Sequence, residues 1–376
     1  MVTLSTTVNA CADQIILHDY FETAEGGGRL CLTLSQAYHA DLCYGFKASH
    51  HPFFQNAHSC SRQYDLRSAS RIPLLRQLRL IHAFRNKTSF LKNYRQAIYS
   101  GFYSPLAINN HQSGGNIYYC HTPPRFMYDQ RDYYSALIPF WQRPLLRFFI
   151  DYLKPLYEAA AAHMDIIIAN SENVRARIRT YLGKDALVVY PPCDTESFIW
   201  RGQGDYYLST ARLDPVKRVD LIIEAFVRMP DKKLIVTSGG NEYARLKKLA
   251  GQRENIVFTG LVTEEKLREL IGNAIATIYI PHSEDFGMSP VESMAAGKPV
   301  IAVREGGLIE TVVHGETGML LSPGVNKEEL IDMVSALTAK RALQMRRACE
   351  ARAQLFSKDL FIDKMRSLCA RNNPLQ

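Results

Sequence analysis

No two of the eight cysteines stand as Cys-x-x-Cys, which excludes a zinc knuckle or a thioredoxin-like pair at motif level. They lie scattered at 11, 31, 43, 60, 120, 193, 349 and 369, as expected of reduced thiols rather than of a disulfide framework. No apolar run approaches the roughly 18 residues of a membrane-spanning helix. The N-terminus lacks a basic region followed by an apolar stretch, so no signal peptide is expected. No Gly-x-x-x-x-Gly-Lys-Ser/Thr occurs, which excludes a P-loop ATPase. Low-complexity tracts and solenoid repeats are missing too, so the 376 residues are left for two or three ordinary globular domains.

Acidic residues are scarce in one place. Residues 61–95 carry nine Lys and Arg (Arg62, Arg67, Arg71, Arg76, Arg79, Arg85, Lys87, Lys92, Arg95) against Asp65 alone, which equals the whole formal net charge of +8. Within that segment Leu74, Leu75, Leu78 and Ile81 are expected on one helical face, with Arg76 and Arg79 off it. A basic amphipathic helix of this kind suits an anionic membrane surface, and equally a helix packing its stripe on its own domain. Nucleic acid is not expected, since no recognition motif accompanies the charge.

Short β-prone runs alternate with helical stretches along the chain. Gln14–Asp19 is followed by Gly26-Gly27-Gly28, expected as a glycine-rich turn, and by a helix from Arg29 to His39. Further strands are expected at 41–46, 97–101, 116–120, 165–170 and 186–190, with a long helix at 144–163. After an irregular stretch at 194–204, expected to be a linker, the alternation restarts. Strands follow at 206–209, 233–237, 255–259, 276–280, 299–303 and 319–321, and a last helix at 357–371. The fold class is therefore α/β, with two Rossmann-like doubly wound domains. The expected domains are 1–198, joined by the C-terminal helix 357–376, and 199–356. Ligands of such sheets bind at the carboxyl ends of the strands, which here implies a cleft between the domains.

The most specific run is Glu284-Asp-Phe286-Gly287-Met288-Ser289-Pro-Val-Glu292-Ser-Met-Ala-Ala-Gly297-Lys-Pro-Val-Ile. Ser289-Pro290-Val291-Glu292 fits a capping box, in which Glu292 would only cap its own helix. Alternatively, Phe286 to Ser289 offer backbone N–H groups and a helix N-terminus to a phosphate, and the two carboxylates accept hydrogen bonds from sugar and ribose hydroxyls.

The stretch 205–323 resembles the donor-binding half of the family 4, GT-B-fold retaining glycosyltransferases. The matching pieces are Ser209-Thr-Ala-Arg212-Leu-Asp-Pro-Val-Lys217-Arg218, Ser238-Gly239-Gly240, Phe258-Thr-Gly260, the Glu-x7-Glu run, Gly297-Lys-Pro299, Glu305-Gly306-Gly307 and Gly315-Glu-Thr-Gly318. Ala211 stands where the family usually has Gly, and Gly240 lacks the common acidic follower. The resemblance implies that Arg212 and Lys217 grip the donor diphosphate, that Glu284 faces the transferred sugar and that Glu292 binds ribose. Two fixed cations suit a leaving group that gains charge as the glycosidic bond breaks.

In the N-terminal half, Gly27 and Gly28 resemble the family's glycine loop under the donor phosphates. His121, in Cys120-His121-Thr-Pro-Pro-Arg125, resembles the catalytic-site histidine of a mannosyltransferase-like branch that builds bacterial surface polysaccharides. His18, Asp19, Glu22 and Glu25 either contact an acceptor or solvate a loop. No Asp-x-Asp occurs, so no metal and no cofactor is expected.

The expected protein is a hexosyltransferase that moves a sugar from a nucleotide-diphosphate donor, GDP-mannose before a UDP-sugar, to a glycan or polyprenyl-linked oligosaccharide. Its expected place is the cytoplasm, peripheral at the inner face of the membrane. Two rival readings are a non-catalytic GT-B-fold sugar-nucleotide-binding protein and a GT-B-fold nucleotide-sugar epimerase.

Overall fold

The computed structural model describes residues 13–23, 25–49, 51–54, 62–112 and 114–371. The extreme N-terminus, Cys11, Cys60, position 61 and residues 372–376 of the expected last helix lie outside them. The chain divides into two compact units. One comprises 1–170, 174–189 and 364–376, and the other 171–173 and 190–363. The division thus falls at 189 rather than 198, and the chain returns to the first unit at 364 rather than 357.

The N-terminal unit is a seven-stranded parallel sheet in the order β3-β2-β1-β4-β5-β6-β7. Its strands are β1 Gln14–His18, β2 Asp41–Tyr44, β3 Gln63–Asp65, β4 Gln96–Ser100, β5 Gly115–Cys120, β6 Ile166–Ala169 and β7 Leu187–Val188. Its helices are α1 Gly26–Tyr38, α2 Pro73–Asn86, α3 Arg131–Ala136, α4 Arg143–Ala162 and α5 Glu172–Leu182. The C-terminal unit is a six-stranded parallel sheet in the order β10-β9-β8-β11-β12-β13. Its strands are β8 Tyr206–Ser209, β9 Lys233–Thr237, β10 Ile256–Gly260, β11 Ala276–Tyr279, β12 Val300–Val303 and β13 Gly318–Leu321. Its helices are α6 Val219–Val227, α7 Tyr243–Ala250, α8 Glu264–Asn273, α9 Met288–Ala295, α10 Leu308–Thr311, α11 Lys327–Ala336 and α12 Ala339–Gln354, and α13 Lys358–Arg371 runs back to the first unit.

The central strands carry near-continuous apolar runs because both faces of a parallel sheet are covered. In β8, Tyr207 joins one buried cluster with Phe226 and Val334. Its neighbours Tyr206 and Leu208 join another with Phe198 and Leu270. That alternation is the period of two of a strand.

Four expectations change. Gly26-Gly27-Gly28 is the first turn of α1, not a loop before it. The three glycines precede an apolar period at Leu30, Cys31 and Leu34, whose burial outweighs the roughly 1 kcal/mol propensity cost of each glycine. Helix α9 begins at Met288 with Gly287 as its N-cap at φ 93°, and no side chain caps it. Glu292 is therefore the fifth residue of the helix and not the third, so the capping box does not form.

The expected linker 194–204 is a strap on the C-terminal unit. Cys193 and Phe198 are buried, Arg201 and Gly202 donate their N–H groups to Gly272 O at 2.9 and 3.2 Å, and Gly204 donates to Asn273 O at 2.8 Å. The ammonium of the fully buried Lys298 holds the Gly202 carbonyl. Finally, α2 does not have one apolar face. Leu80, Ile81, Ala83 and Phe84 point inward, while Leu75 and Leu78 are exposed.

Candidate functional site

Strand order reverses beside β8 in the C-terminal sheet, because β8 pairs with β9 on one side and β11 on the other. Such a switch point leaves an open crevice at the carboxyl ends of the two strands. The loop after β8 carries Arg212 and Lys217, and the loop after β11 carries Glu284.

The first loop is pinned by Leu213, which is fully buried. Its N–H donates to Gly239 O at 2.9 Å, and its carbonyl accepts from Glu242 N at 3.0 Å. Gly240, at φ 154°, lies against the Leu213 backbone where a Cβ would collide. Ser238-Gly239-Gly240 is therefore a cradle for the loop. Beyond Leu213 a 3-10 turn, Pro215–Lys217, ends at Arg218 in the left-handed region.

Lys217 Nζ donates to Glu284 Oε2 at 2.7 Å and to the Tyr279 hydroxyl at 3.0 Å. Tyr279 is the last residue of β11. Burial, then the charges of Glu284 and Glu292, push its phenol well above the ordinary value, with Arg212 opposing. Lys217 and Glu284 thus meet at the Tyr279 hydroxyl, with Glu292 and Arg212 within electrostatic reach of it. Arg212 is the outermost, with its side chain 62% exposed and paired with Asp214. Arg218 is not a ligand group. Its guanidinium donates to Ile280 O at 2.7 Å, Pro281 O at 2.9 Å, Pro323 O at 3.2 Å and Glu305 Oε1 at 2.9 Å. It braces the loop that presents Glu284.

That loop is held closely on both sides. His282 N donates to Val216 O at 2.7 Å, and Gly307 N donates to Glu284 O at 3.0 Å. A Cβ on Gly306 would strike the Glu284 carbonyl, and one on Gly307 the backbone of Asp285 and Phe286. Glu305-Gly306-Gly307 therefore places Glu284 by letting two backbones touch. The Phe286 ring is buried between Tyr190 and Phe356, 5.5 Å from each, which leaves only its backbone for a ligand. Gly287, Met288 and Ser289 open α9, and the first N–H groups of a helix have no partner within it. Glu292, half-buried, lies one turn further on.

The N-terminal sheet has its own switch point, between β2 and β4 on either side of β1. His18 ends β1 and faces Ser100 at the end of β4. His121 follows β5 directly. Ser100 Oγ lies 2.8 Å from His121 Nε2 and 3.4 Å from His18 Nδ1. Burial, and then the neighbouring His121, push His18 down to about 3, and burial holds His121 down at about 4. Both imidazoles are neutral at pH 7. A Cβ on Gly27 would stand 3.1 Å from His121 Nε2 and 3.5 Å from His18 Cε1, so glycine there lets the α1 N-terminus approach the histidine pair without displacing the His121 ring. Gly28 is spaced against Phe21 instead, at 3.0 Å.

Of the acidic neighbours, Asp19 is structural. Its carboxylate accepts from the backbone N–H groups of Phe102, Tyr103 and Ser104 at 2.7–2.9 Å. Burial raises its proton affinity to about 6 against those bonds. Glu22 pairs with Arg76 at 2.8 Å and Glu25 accepts from Thr23. Arg125 folds back on Asp129. The structure therefore brings together Arg212, Lys217, Glu284 and Glu292 in one unit, and Gly27 with His121 in the other. Tyr279, Ser100 and His18 complete these groups. Tyr279 and Ser100 were not singled out from the sequence, although each is the polar final residue of a strand at a switch point.

Residues 194–356 match the family model described as glycosyl transferases group 1. The chain is 27% identical over 286 residues to the alpha-1,3/1,6-mannosyltransferase ALG2 of Mus musculus, an alignment that covers 66% of each chain. It is 26% identical over 237 residues to the human GDP-Man:Man(3)GlcNAc(2)-PP-Dol alpha-1,2-mannosyltransferase, covering 55% of this chain and 48% of that one. The chain thus aligns with about half to two thirds of the length of these curated relatives. HepE of Anabaena, solved in complex with UDP and glucose, superimposes with a TM-score of 0.76 at 16% identity, over 96% of this chain and 99% of that one. The fold is GT-B.

Proposed function

We propose that the protein transfers a hexosyl unit from a nucleoside-diphosphate sugar to a sugar hydroxyl of a glycan or polyprenyl-linked acceptor. The observation that carries this reading is the Lys217–Glu284–Tyr279 group at the β8/β11 switch point, beside Arg212 and the N-terminus of α9. Lys217 and Arg212 supply fixed positive charge where a leaving diphosphate would gain negative charge. The N–H groups of Gly287, Met288 and Ser289 supply further donors to an anion. Glu284 accepts from hydroxyls of the transferred sugar and Glu292 from ribose.

In the proposed step the bond between the anomeric carbon and the diphosphate oxygen breaks, and the electron pair leaves with the phosphate. The acceptor oxygen bonds to the same carbon from the same face, and its proton passes to the departing phosphate oxygen. No protein nucleophile is needed, and the configuration is retained. His121, held neutral and located by Ser100, donates or accepts a hydrogen bond to a sugar hydroxyl. No metal takes part in this scheme.

GDP-mannose is the favoured donor. The support is the mannosyltransferase relatives, one of which carries GDP-Man in its name. A UDP-hexose is the second choice. The reading is tested by melting the purified protein with GDP, UDP and ADP in turn. A ligand at about one hundred times its dissociation constant adds about 2.7 kcal/mol of stability. A shift with GDP above UDP supports the reading, and no shift with any of the three would overturn it.

A further inference from the structure

Residues 137–152 turn large apolar side chains away from the N-terminal unit. Phe140 is 78% exposed, Trp141 66% and Phe148 70%, with Leu137, Leu145 and Tyr152 also exposed. Along α4 the exposed residues Leu145, Phe148 and Tyr152 are spaced by three and four, which makes one stripe, and Trp141 stands in the 3-10 turn just before the helix. The opposite stripe, Phe149, Ile150, Leu153, Tyr157 and Ala160, is in the core. The helix is thus apolar on two sides, and its fold uses one of them. A patch of this size on a soluble unit marks a surface made to be covered.

The chemistry between the apolar residues says what covers it. Arg143 and Arg147 are exposed within the stripe, and among the described residues neither makes an ion pair. Asp151 is the one acidic residue from Tyr133 to Tyr152. Aromatic rings interleaved with unpaired arginines match the boundary between lipid headgroups and acyl chains, where rings enter and guanidinium groups stay with phosphates. A protein partner would need matching carboxylates beside a dry apolar patch, whereas an anionic bilayer offers both at once.

The exposed side of α2 continues the same chemistry with Ile72, Leu75 and Leu78 beside Arg71 and Arg79. A run of touching side chains joins the two helices. Gln77 of α2 accepts from the Tyr103 hydroxyl. Phe102 packs on Tyr103 at 4.3 Å and on Phe126 at 5.7 Å, and Phe126 packs on Phe149 of α4 at 6.3 Å. Several of the basic residues of segment 61–95 are already engaged. Arg76 pairs with Glu22, and Arg79 and Lys87 donate to the carbonyls of Ala69 and Leu66.

We propose that the outward face of residues 137–152 seats in the surface of a bilayer containing anionic lipid, with Phe140, Trp141 and Phe148 below the phosphates and Arg143 and Arg147 at them. The inference stands on this surface alone and does not depend on the donor chemistry.

Tryptophan reports it directly, because the chain has two. Trp200 lies in the C-terminal unit, covered by Arg346 at 4.2 Å and Lys298 at 5.3 Å. The full chain carrying Trp200→Phe is mixed with phosphatidylcholine vesicles containing a quarter phosphatidylglycerol and brominated acyl chains. The Trp141 emission is expected to move to the blue and to be quenched by the bromines. Arg143→Gln with Arg147→Gln should weaken binding at least tenfold, since each basic residue near an anionic surface contributes about 1 kcal/mol. Phe140→Ser with Phe148→Ser should abolish the quenching without lowering the melting temperature. If Trp200→Phe does not fold, the difference spectrum between the unaltered chain and Trp141→Phe reads the same signal. Absence of quenching at saturating vesicle concentration overturns the proposal. So does a lipid-free dimer, seen by sedimentation, that Phe148→Ser dissolves, since the face would then belong to a second copy.

Discussion

Lys217 Nζ stands 2.7 Å from Glu284 Oε2, and both side chains are less than a fifth exposed. The same ammonium reaches the Tyr279 hydroxyl at 3.0 Å. A charge withdrawn this far from water is costly when its partner is removed. Lys217→Met and Glu284→Gln are therefore expected to lower stability singly, and by less than the sum of their effects when combined. A double-mutant cycle in urea should return a coupling of about 1–3 kcal/mol. Additive effects would mean that the two groups do not hold each other.

Arg212 makes the opposite prediction. It is exposed and its ion pair with Asp214 is of a kind that contributes about 0–1 kcal/mol. Arg212→Ala should leave the melting temperature nearly unchanged and lower kcat/KM for the donor by about 2–4 kcal/mol, the scale of losing one group that stabilises developing charge. Steady-state rates with GDP-mannose decide it, and activity within twofold of the parent would remove Arg212 from the diphosphate site.

Glu292 is the fifth residue of α9, and the helix is capped by Gly287. Its carboxylate is thus not needed to start the helix. Glu292→Gln should keep the melting temperature of the protein within error. Hydrogen bonds to a charged group contribute about 1.5–3 kcal/mol against about 1 for neutral ones, so nucleotide affinity should fall about tenfold. Calorimetric titration of GDP into parent and variant measures both affinities, and equal values would strip the ribose contact from Glu292.

Acid should weaken the N-terminal unit through its histidine pair. His18 and His121 have folded values of about 3 and about 4, below the ordinary 6.5. Between those values and 6.5 the unfolded chain binds more protons, so stability falls as pH drops through that window. Asp19, raised from 3.8 to about 6, acts in the other direction between 3.8 and 6, where the folded chain binds the extra proton. The histidine effect is therefore unopposed from 6.5 to 6 and partly offset below. Each tenfold difference in proton affinity corresponds to about 1.4 kcal/mol. His121→Gln should flatten the decline in melting temperature between pH 6.5 and 4, and an unchanged profile would show that His121 is not buried neutral.

The proposed chemistry uses arginine, lysine and backbone donors in place of a cation. Turnover should therefore continue in excess EDTA. Loss of activity on chelation, restored by Mn²⁺, would show that the diphosphate is held through a metal.

Strands and their order of alternation with helices were readable because a parallel sheet buried on both faces leaves unbroken runs such as Tyr206–Ser209 and Val300–Val303, whereas the short edge strand β3 Gln63–Asp65, which is not buried, was missed. Charged motif residues were readable for a different reason. Arg212, Lys217 and Glu284 could be singled out because they lie in the loops that follow β8 and β11. What stayed hidden was the start of each helix that opens on glycine. Gly26 and Gly287 carry no side chain that distinguishes a turn from a first helical residue, and only the burial of Leu30 or Val291 decides it. Helix α12 was missed although Thr338 caps it and Ala342, Met345, Cys349 and Ala353 keep its period. Its many arginines and alanines conceal the stripe. Arg218 and Lys217 could not be ranked from sequence, because four carbonyl and carboxylate partners of Arg218 come from three distant segments.

Helix α13 begins among residues of the C-terminal unit and ends among those of the N-terminal one. Its Cys369 carbonyl accepts from the buried Gln96 amide at 3.1 Å, and Arg366 reaches the Ala37 carbonyl. During synthesis the N-terminal sheet is made first, yet this covering helix leaves the ribosome after the whole C-terminal unit. Gln96, the first residue of β4, is made 273 residues before the Cys369 carbonyl that it donates to. Vectorial folding, in which each domain closes before the next emerges, would close the first unit without the segment from Lys364 to Arg371.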